Sequence, residues 1–323
     1  MGAAPAARAA LRGLTRSLAG TGDDAAMKAA LASCALATVL FLNADAARAE
    51  ADFVGDAACL ACHEGVAAPF ADTIHAKVLN EKVARTPEHA NSCEACHGPG
   101  AEHVEARGGK GVGGMLSFRA ENPEAVAREN DACLGCHAKA ERLHWEGSPH
   151  ESRGVACTSC HTVMQNVSDR HQLARKTEVE LCTSCHLIPR AQMYRNAHMP
   201  VREGFMSCSS CHNPHGSIAD TLLRHDTVND NCYSCHAEKR GPFLWEHAPV
   251  NENCLSCHEP HGSTREAMLK LSQPRLCQQC HVASRHPSEA RLPGNRFVIG
   301  SSCLQCHSNI HGSNHPSGFV FTR

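Results

Sequence analysis

Large side chains are scarce in this 323-residue chain: aromatics are 4% of it, with two Trp, two Tyr and nine Phe. Mean hydropathy is negative. A chain of this length would ordinarily form about two domains, each filled by its own bulky apolar residues. The core therefore has to be supplied by something other than side chains. Long apolar runs are missing too. The longest, Ala29 to Leu42, covers 14 residues, too short to span a bilayer. No basic patch with interleaved aromatics is present, which excludes nucleic acid as a partner. Barrel strands are also excluded, because they would need repeated apolar–polar alternation and little of it is found.

What the chain has in quantity is cysteine and histidine, 21 and 24 of them. Ten copies of Cys-x-x-Cys-His account for 20 of the cysteines. The first five are Cys59-Leu-Ala-Cys62-His63, Cys93-Glu-Ala-Cys96-His97, Cys133-Leu-Gly-Cys136-His137, Cys157-Thr-Ser-Cys160-His161 and Cys182-Thr-Ser-Cys185-His186. The second five are Cys208-Ser-Ser-Cys211-His212, Cys232-Tyr-Ser-Cys235-His236, Cys254-Leu-Ser-Cys257-His258, Cys277-Gln-Gln-Cys280-His281 and Cys303-Leu-Gln-Cys306-His307. The pattern is the attachment signature of c-type haem. Two thiols add to the porphyrin vinyl groups, and the histidine that follows ligates the iron. Zinc ribbons need two Cys pairs per metal and no histidine fixed behind each. A disulfide scaffold has no reason to keep one cysteine spacing throughout. A thioredoxin-like motif would occur once or twice in a βαβ setting. Ten covalently bound haems explain both the cysteines and the missing core.

Residues 1–49 read as a leader. Met27-Lys28 opens a short basic segment, the 14-residue apolar run follows, and Ala47-Arg48-Ala49 is an Ala-x-Ala cleavage signal. Met27 is the expected true start, and the mature chain is expected to be 50–323. The odd cysteine, Cys34, matches a lipoprotein box by letter. The apolar run follows it instead of preceding it, which argues against lipidation. The mature part carries 26 Lys+Arg and 30 Asp+Glu, and ten porphyrins would add roughly twenty propionates. Export suits the chemistry, since c-type haem is attached outside the inner membrane.

A longer period underlies the motifs. From the third onward, first cysteines lie 22 to 26 residues apart; the gaps before it are 34 and 40, the second holding the glycine-rich stretch 108–114. The motifs group as five two-haem modules. In each, a histidine in the spacer after the first motif is a candidate sixth ligand: His75, His150, His198, His247 and His286. A second candidate follows the second motif closely: His103, Met164, His215, His261 and His311. Three of the followers sit in near-copies that read His-Gly-Ser. Five spacer ligands and five followers make ten, one for each iron. His89, His144, His171, His225 and His315 are left over. Met164 stands where sister copies carry His; His/Met ligation, His171 or His315 are the ways to complete that tenth site.

Several stretches resemble the MtrA/DmsE-type decahaem cytochromes of outer-membrane electron conduits. They are Asn231 to Pro249, Leu276-Cys-Gln-Gln-Cys-His281 and His311-Gly-Ser-Asn-His-Pro-Ser-Gly318. All ten motifs line up in order, and Met164 is the main departure. The resemblance implies an elongated haem wire threaded through a partner β-barrel porin. It would join periplasmic or inner-membrane cytochromes to an extracellular multihaem cytochrome or terminal reductase. The expected fold is an extended, loop-rich rod with short helices, almost no sheet and a haem-dominated core. The expected function is electron transfer without catalysis, in the periplasm at the outer membrane. A diffusing periplasmic shuttle and a multihaem nitrogen- or sulfur-oxyanion reductase are the alternatives.

Overall fold

The computed structural model describes residues 53–80, 82–83, 90–119, 122–198, 201–281 and 302–322. The leader with Met27, the expected mature start at Glu50, His89 and the spacer candidate His286 lie outside these residues.

Helices are short because the motif asks for only one turn. In nine motifs the histidine N–H donates to the carbonyl of the first cysteine, as in His63 to Cys59 (3.0 Å), His161 to Cys157 (2.9 Å) and His307 to Cys303 (2.9 Å). Residues i, i+3 and i+4 share one helical face, so a single turn points both thiols and the imidazole the same way. The exception in length is Pro123–His137, 15 residues, which carries the third motif in its last turns. Asn122 caps it, its side chain accepting from Ala125 N–H at 2.9 Å, and Pro123 takes the first helical position. Among the described residues there is no strand, only isolated bridges, and no helix long and apolar enough to cross a membrane.

Three of those bridges recur in register: His161 with Leu173, His212 with Leu223 and His258 with Leu269. Each closes a loop whose turn holds two consecutive left-handed residues, His171–Gln172, Thr221–Leu222 or Ala267–Met268. Such residues cost on the order of 1–2 kcal/mol each. They are held because the turn's two carbonyls are both used, the first by the haem-binding imidazole and the second by the next backbone N–H.

Modules stack in sequence order. Asn166 Nδ2 donates to Asp72 O at 3.1 Å, joining the second module to the first. The third meets the second where Asn213 Nδ2 donates to Glu141 O at 2.8 Å and Arg224 pairs with Glu141 at 2.6 Å. The bridges Asn196–Ser263 and Trp245–Ser313 join the fourth to the third and the fifth to the fourth. Each module thus leans on its neighbours, as in a solenoid. Side chains make almost no core: among the described residues the buried hydrophobics are Val126, Trp145, Met193 and Phe321. The result is the extended, loop-rich multihaem architecture, with its interior left to the cofactor.

Candidate haem-binding sites

Histidines meet in pairs at one repeated distance. Ring centres lie 6.2 Å apart for His63 and His103, 6.0 Å for His137 and His75, 6.0 Å for His161 and His215, and 6.0 Å for His186 and His150. His212 and His261 are 6.0 Å apart, His236 and His198 6.1 Å, His258 and His311 6.2 Å, and His281 and His247 6.1 Å. A metal bonded on opposite sides by two imidazole nitrogens at roughly 2 Å holds the ring centres about 6 Å apart. Ordinary aromatic packing scatters over roughly 4.5–7 Å, and parallel rings in contact would sit closer. Eight pairs within 0.2 Å of one another are spaced for something between them. Every pair joins one haem-binding histidine to one spacer or follower candidate.

The pairing crosses modules. His137, His186, His236 and His281 each face the spacer histidine of the module before. His161, His212 and His258 each face the follower of the module after. His63 faces His103 of its own module. Glycine makes the close approach possible in the His-Gly-Ser copies. Gly216 and Gly262 have φ of 114° and 127°, and a Cβ there would run into the backbone of His144 or Gln192 in the preceding module.

Hydrogen bonds fix the orientation of the second-motif imidazoles. Nδ1 donates to a carbonyl at 2.7 Å for His97 (Leu116), 2.8 Å for His161 (His171), 2.9 Å for His212 (Thr221) and 2.8 Å for His258 (Ala267). His307 does the same to Val320. The proton is thereby held on Nδ1, leaving Nε2 to ligate.

The cysteines form a second series. Within modules, first cysteines adjoin: Cys59 and Cys93, Cys133 and Cys157, Cys182 and Cys208, Cys232 and Cys254, Cys277 and Cys303. Between modules, second cysteines lie within electrostatic reach of the next module's cysteines: Cys96 of Cys133 and Cys136, Cys160 of Cys185, Cys211 of Cys235 and Cys257 of Cys280. The alternation runs unbroken from the first motif to the tenth.

One device that sequence reasoning missed sets the within-module contact. A polar side chain three or four residues before the first motif reaches the backbone or a hydroxyl at the second. Asp56 accepts from Cys93 N–H (3.0 Å), Asn130 from Cys157 N–H (2.8 Å), and Asn229 from Cys254 N–H (2.8 Å). Glu178 accepts from Ser209 N–H and Oγ, and Gln273 from Ser302 Oγ. The signal was available as an Asp, Asn, Glu or Gln ahead of every odd-numbered motif. Glu178, Cys182 and Cys208 lie within 4.8 Å of one another and could pass for a metal site. Their thiols are thioether positions, so Glu178 is a brace.

Met164 lies in the loop after His161 and is exposed. Among the described residues, the ring contact of His97 is Phe118, edge-on at 5.2 Å. His171 is exposed and lends its carbonyl to His161; His315 is exposed and its Nδ1 accepts from Ser317 N–H at 3.1 Å.

Comparison with known proteins gives these sites a family. A doubled Cys-x-x-Cys-His family matches residues 198–241 and 247–286, and an NrfB-like cytochrome c family matches residues 93–185. The chain is 44% identical over 281 residues to multiheme cytochrome MtrA of Shewanella baltica, covering 83% of this chain and 81% of that protein. It belongs to the MtrA family of multihaem c-type cytochromes. Cytochrome c-type protein NrfB of Escherichia coli is 31% identical over 138 residues, 41% of this chain and 65% of NrfB.

As a member of the MtrA family the chain binds haem c covalently and carries electrons. The donor set suits that cofactor. Burial lowers the pKa of His75, His247, His261 and His311, and that of His215 to about 4, the neighbouring His161 adding to the last. The imidazoles are thus neutral at ordinary pH, the form that binds iron. The Nδ1 atoms of His103, His215 and His247 are buried without a protein hydrogen-bond partner, so these rings are held for something other than protein. Burial, aided by Asp56, pushes the Cys93 thiol up to about 12. The hydrogen bond between Cys133 and Cys157 raises the former and lowers the latter. These MtrA-type thiols are apposed closely enough to feel one another.

Proposed function

We propose that the mature chain, 50–323, carries ten haems in single file. It works as a periplasmic wire associated with the outer membrane, exported by a leader spanning residues 1–49 and held inside a partner β-barrel porin. Electrons pass between periplasmic or inner-membrane cytochromes at one end and an extracellular multihaem cytochrome or terminal reductase at the other. The observation that supports this most is the alternating apposition of cysteines from Cys59 to Cys303. Thioether positions lie at porphyrin edges, so neighbouring cysteines put successive edges side by side.

Bound haem supplies one-electron redox chemistry; the polypeptide sets order, ligation and exposure. The His63, His137, His161, His186, His212, His236, His258 and His281 sites would be closed by the histidines that face them. His286 is assigned to His307 because no other ligand of its series remains. Met164 falls to His97 by register. In sister modules the follower faces the second site of the module before, and the Met164 loop reaches that module through Asn166 and Asp72. Saturated iron leaves no position for substrate, which favours a carrier over a reductase.

In liposomes holding the complex with its barrel, electrons should pass from an external donor to an enclosed acceptor. Replacing Cys182 and Cys185 by Ala should cut the rate at least tenfold, because a single file has no bypass. Undiminished transfer would refute the single-file order, and a cytochrome that never co-purifies with a barrel would make it a diffusing shuttle.

A further inference from the structure

The facing imidazoles differ in twist, and the difference follows one residue position. Three of the four sites closed by a spacer histidine are close to perpendicular: 70° for His75–His137, 72° for His150–His186 and 68° for His198–His236. The fourth, His247–His281, is close to parallel at 15°. Its place in the repeat is the same, so a local cause is needed.

That cause lies in the left-handed turn of the following module. The turn's last left-handed residue gives its carbonyl to the residue one or two past the haem-binding histidine. Thr162 N–H donates to Gln172 O (2.8 Å), Asn213 to Leu222 (2.7 Å), Glu259 to Met268 (2.8 Å) and Asn309 to Phe321 (3.0 Å). Gln172, Leu222, Met268 and Phe321 have φ of 48°, 59°, 54° and 55°, so the residue itself is left-handed in all four, although only the first three follow a second left-handed residue. At two of the four positions the residue lies beside the spacer histidine of the module before. Met268 and His198 line one cavity. Phe321, 8% exposed, packs edge-on against His247 at 5.7 Å and 64°. The three flexible or aliphatic occupants accompany perpendicular ligands, and the one aromatic accompanies parallel ligands.

The geometry points to Phe321 as a positioning residue: its ring holds His247 parallel to His281 and so makes the ninth haem electronically unlike the third, fifth and seventh. The chemistry follows from orbital overlap. Parallel imidazole planes both donate into the same iron d orbital, which separates it from its partner and stabilises ferric iron. Perpendicular planes donate into different orbitals and leave the two nearly degenerate. Parallel ligands therefore give a rhombic low-spin resonance and a lower potential. Perpendicular ligands give a strongly anisotropic, large-gmax resonance and a higher potential. Axial ligation is one of the protein's levers on haem potential, and ring packing sets it here.

The inference rests on the histidine pairing proposed above, and electron paramagnetic resonance of the oxidised holoprotein tests the two separately. Wild type should show both resonance types; absence of any large-gmax signal would overturn the pairing itself. Phe321→Met, which installs the Met268 side chain, should move one haem's intensity from the rhombic to the large-gmax class and shift one titrating haem to higher potential. Phe321→Tyr should keep the wild-type spectrum. Met268→Phe should do the converse at His198–His236 and remove one large-gmax haem. If both signals exist in wild type and neither Phe321→Met nor Met268→Phe redistributes them, Phe321 does not set the plane and the proposal fails. Should Phe321→Met lose ligation altogether and turn one haem high-spin, Met268→Phe alone decides.

Discussion

At the scale of single residues, Met164 is the substitution that the repeat exposes most clearly. It follows His161 by three residues, the spacing of His215 after His212 and His261 after His258, yet the Gly-Ser that follows those histidines is replaced by Gln165-Asn166. Thioether sulfur is a poorer donor than imidazole toward ferric iron, so a His97–Met164 site would stand at higher potential than its neighbours. One haem should then show a near-infrared sulfur-to-iron charge-transfer band and titrate above the rest. Met164→His should abolish the band and lower that potential while keeping the haem low-spin. A wild-type protein without the band would make Met164 a packing residue.

At the scale of the element, the repeated turns and the His-Gly-Ser segments carry the ligands into place. Gly262 sits at φ 127°, and a Cβ there would collide with the Gln192 carbonyl. Gly262→Ala should displace His261, leave the His212 haem high-spin and able to bind carbon monoxide, and cost on the order of 1–3 kcal/mol of stability. Absorbance with and without carbon monoxide reads the first effect, and chemical denaturation the second. Much at this scale was legible beforehand. One helical turn per motif follows from i, i+3, i+4 spacing, and the ligand candidates stood out by recurrence. The braces recur ahead of every odd-numbered motif but do not stand out, because Asp56, Asn130 or Asn229 there looks like any helix start. The left-handed pair Thr221–Leu222 was hidden too: neither residue favours that conformation, and only the two carbonyls it delivers make it worthwhile.

At the scale of the whole molecule, the sequence identified the cofactor and the rod but not who ligates whom. Nothing in the spacing of His75 says that it faces His137 and not His63, because both lie within reach of a loop and the choice is made by how modules dock. Docking depends on contacts such as Asn196 with Ser263 and Trp245 with Ser313, which have no local signature.

The crossed ligation also governs how such a protein can change length. On the proposed pairing no inner module would be self-sufficient: its first iron would borrow from the module before and its second from the module after. Removing one whole period leaves the rule intact. With Ala174 to Leu223 deleted and Leu173 joined to Arg224, His161 would meet His261 and His236 would meet His150. The eight-haem product should be fully low-spin and about one-fifth shorter. Ending the chain after Leu223 instead should strand His212 without its partner and create a haem that takes up carbon monoxide. Growth and shrinkage by two haems at a time therefore heal themselves, whereas a cut leaves a reactive end.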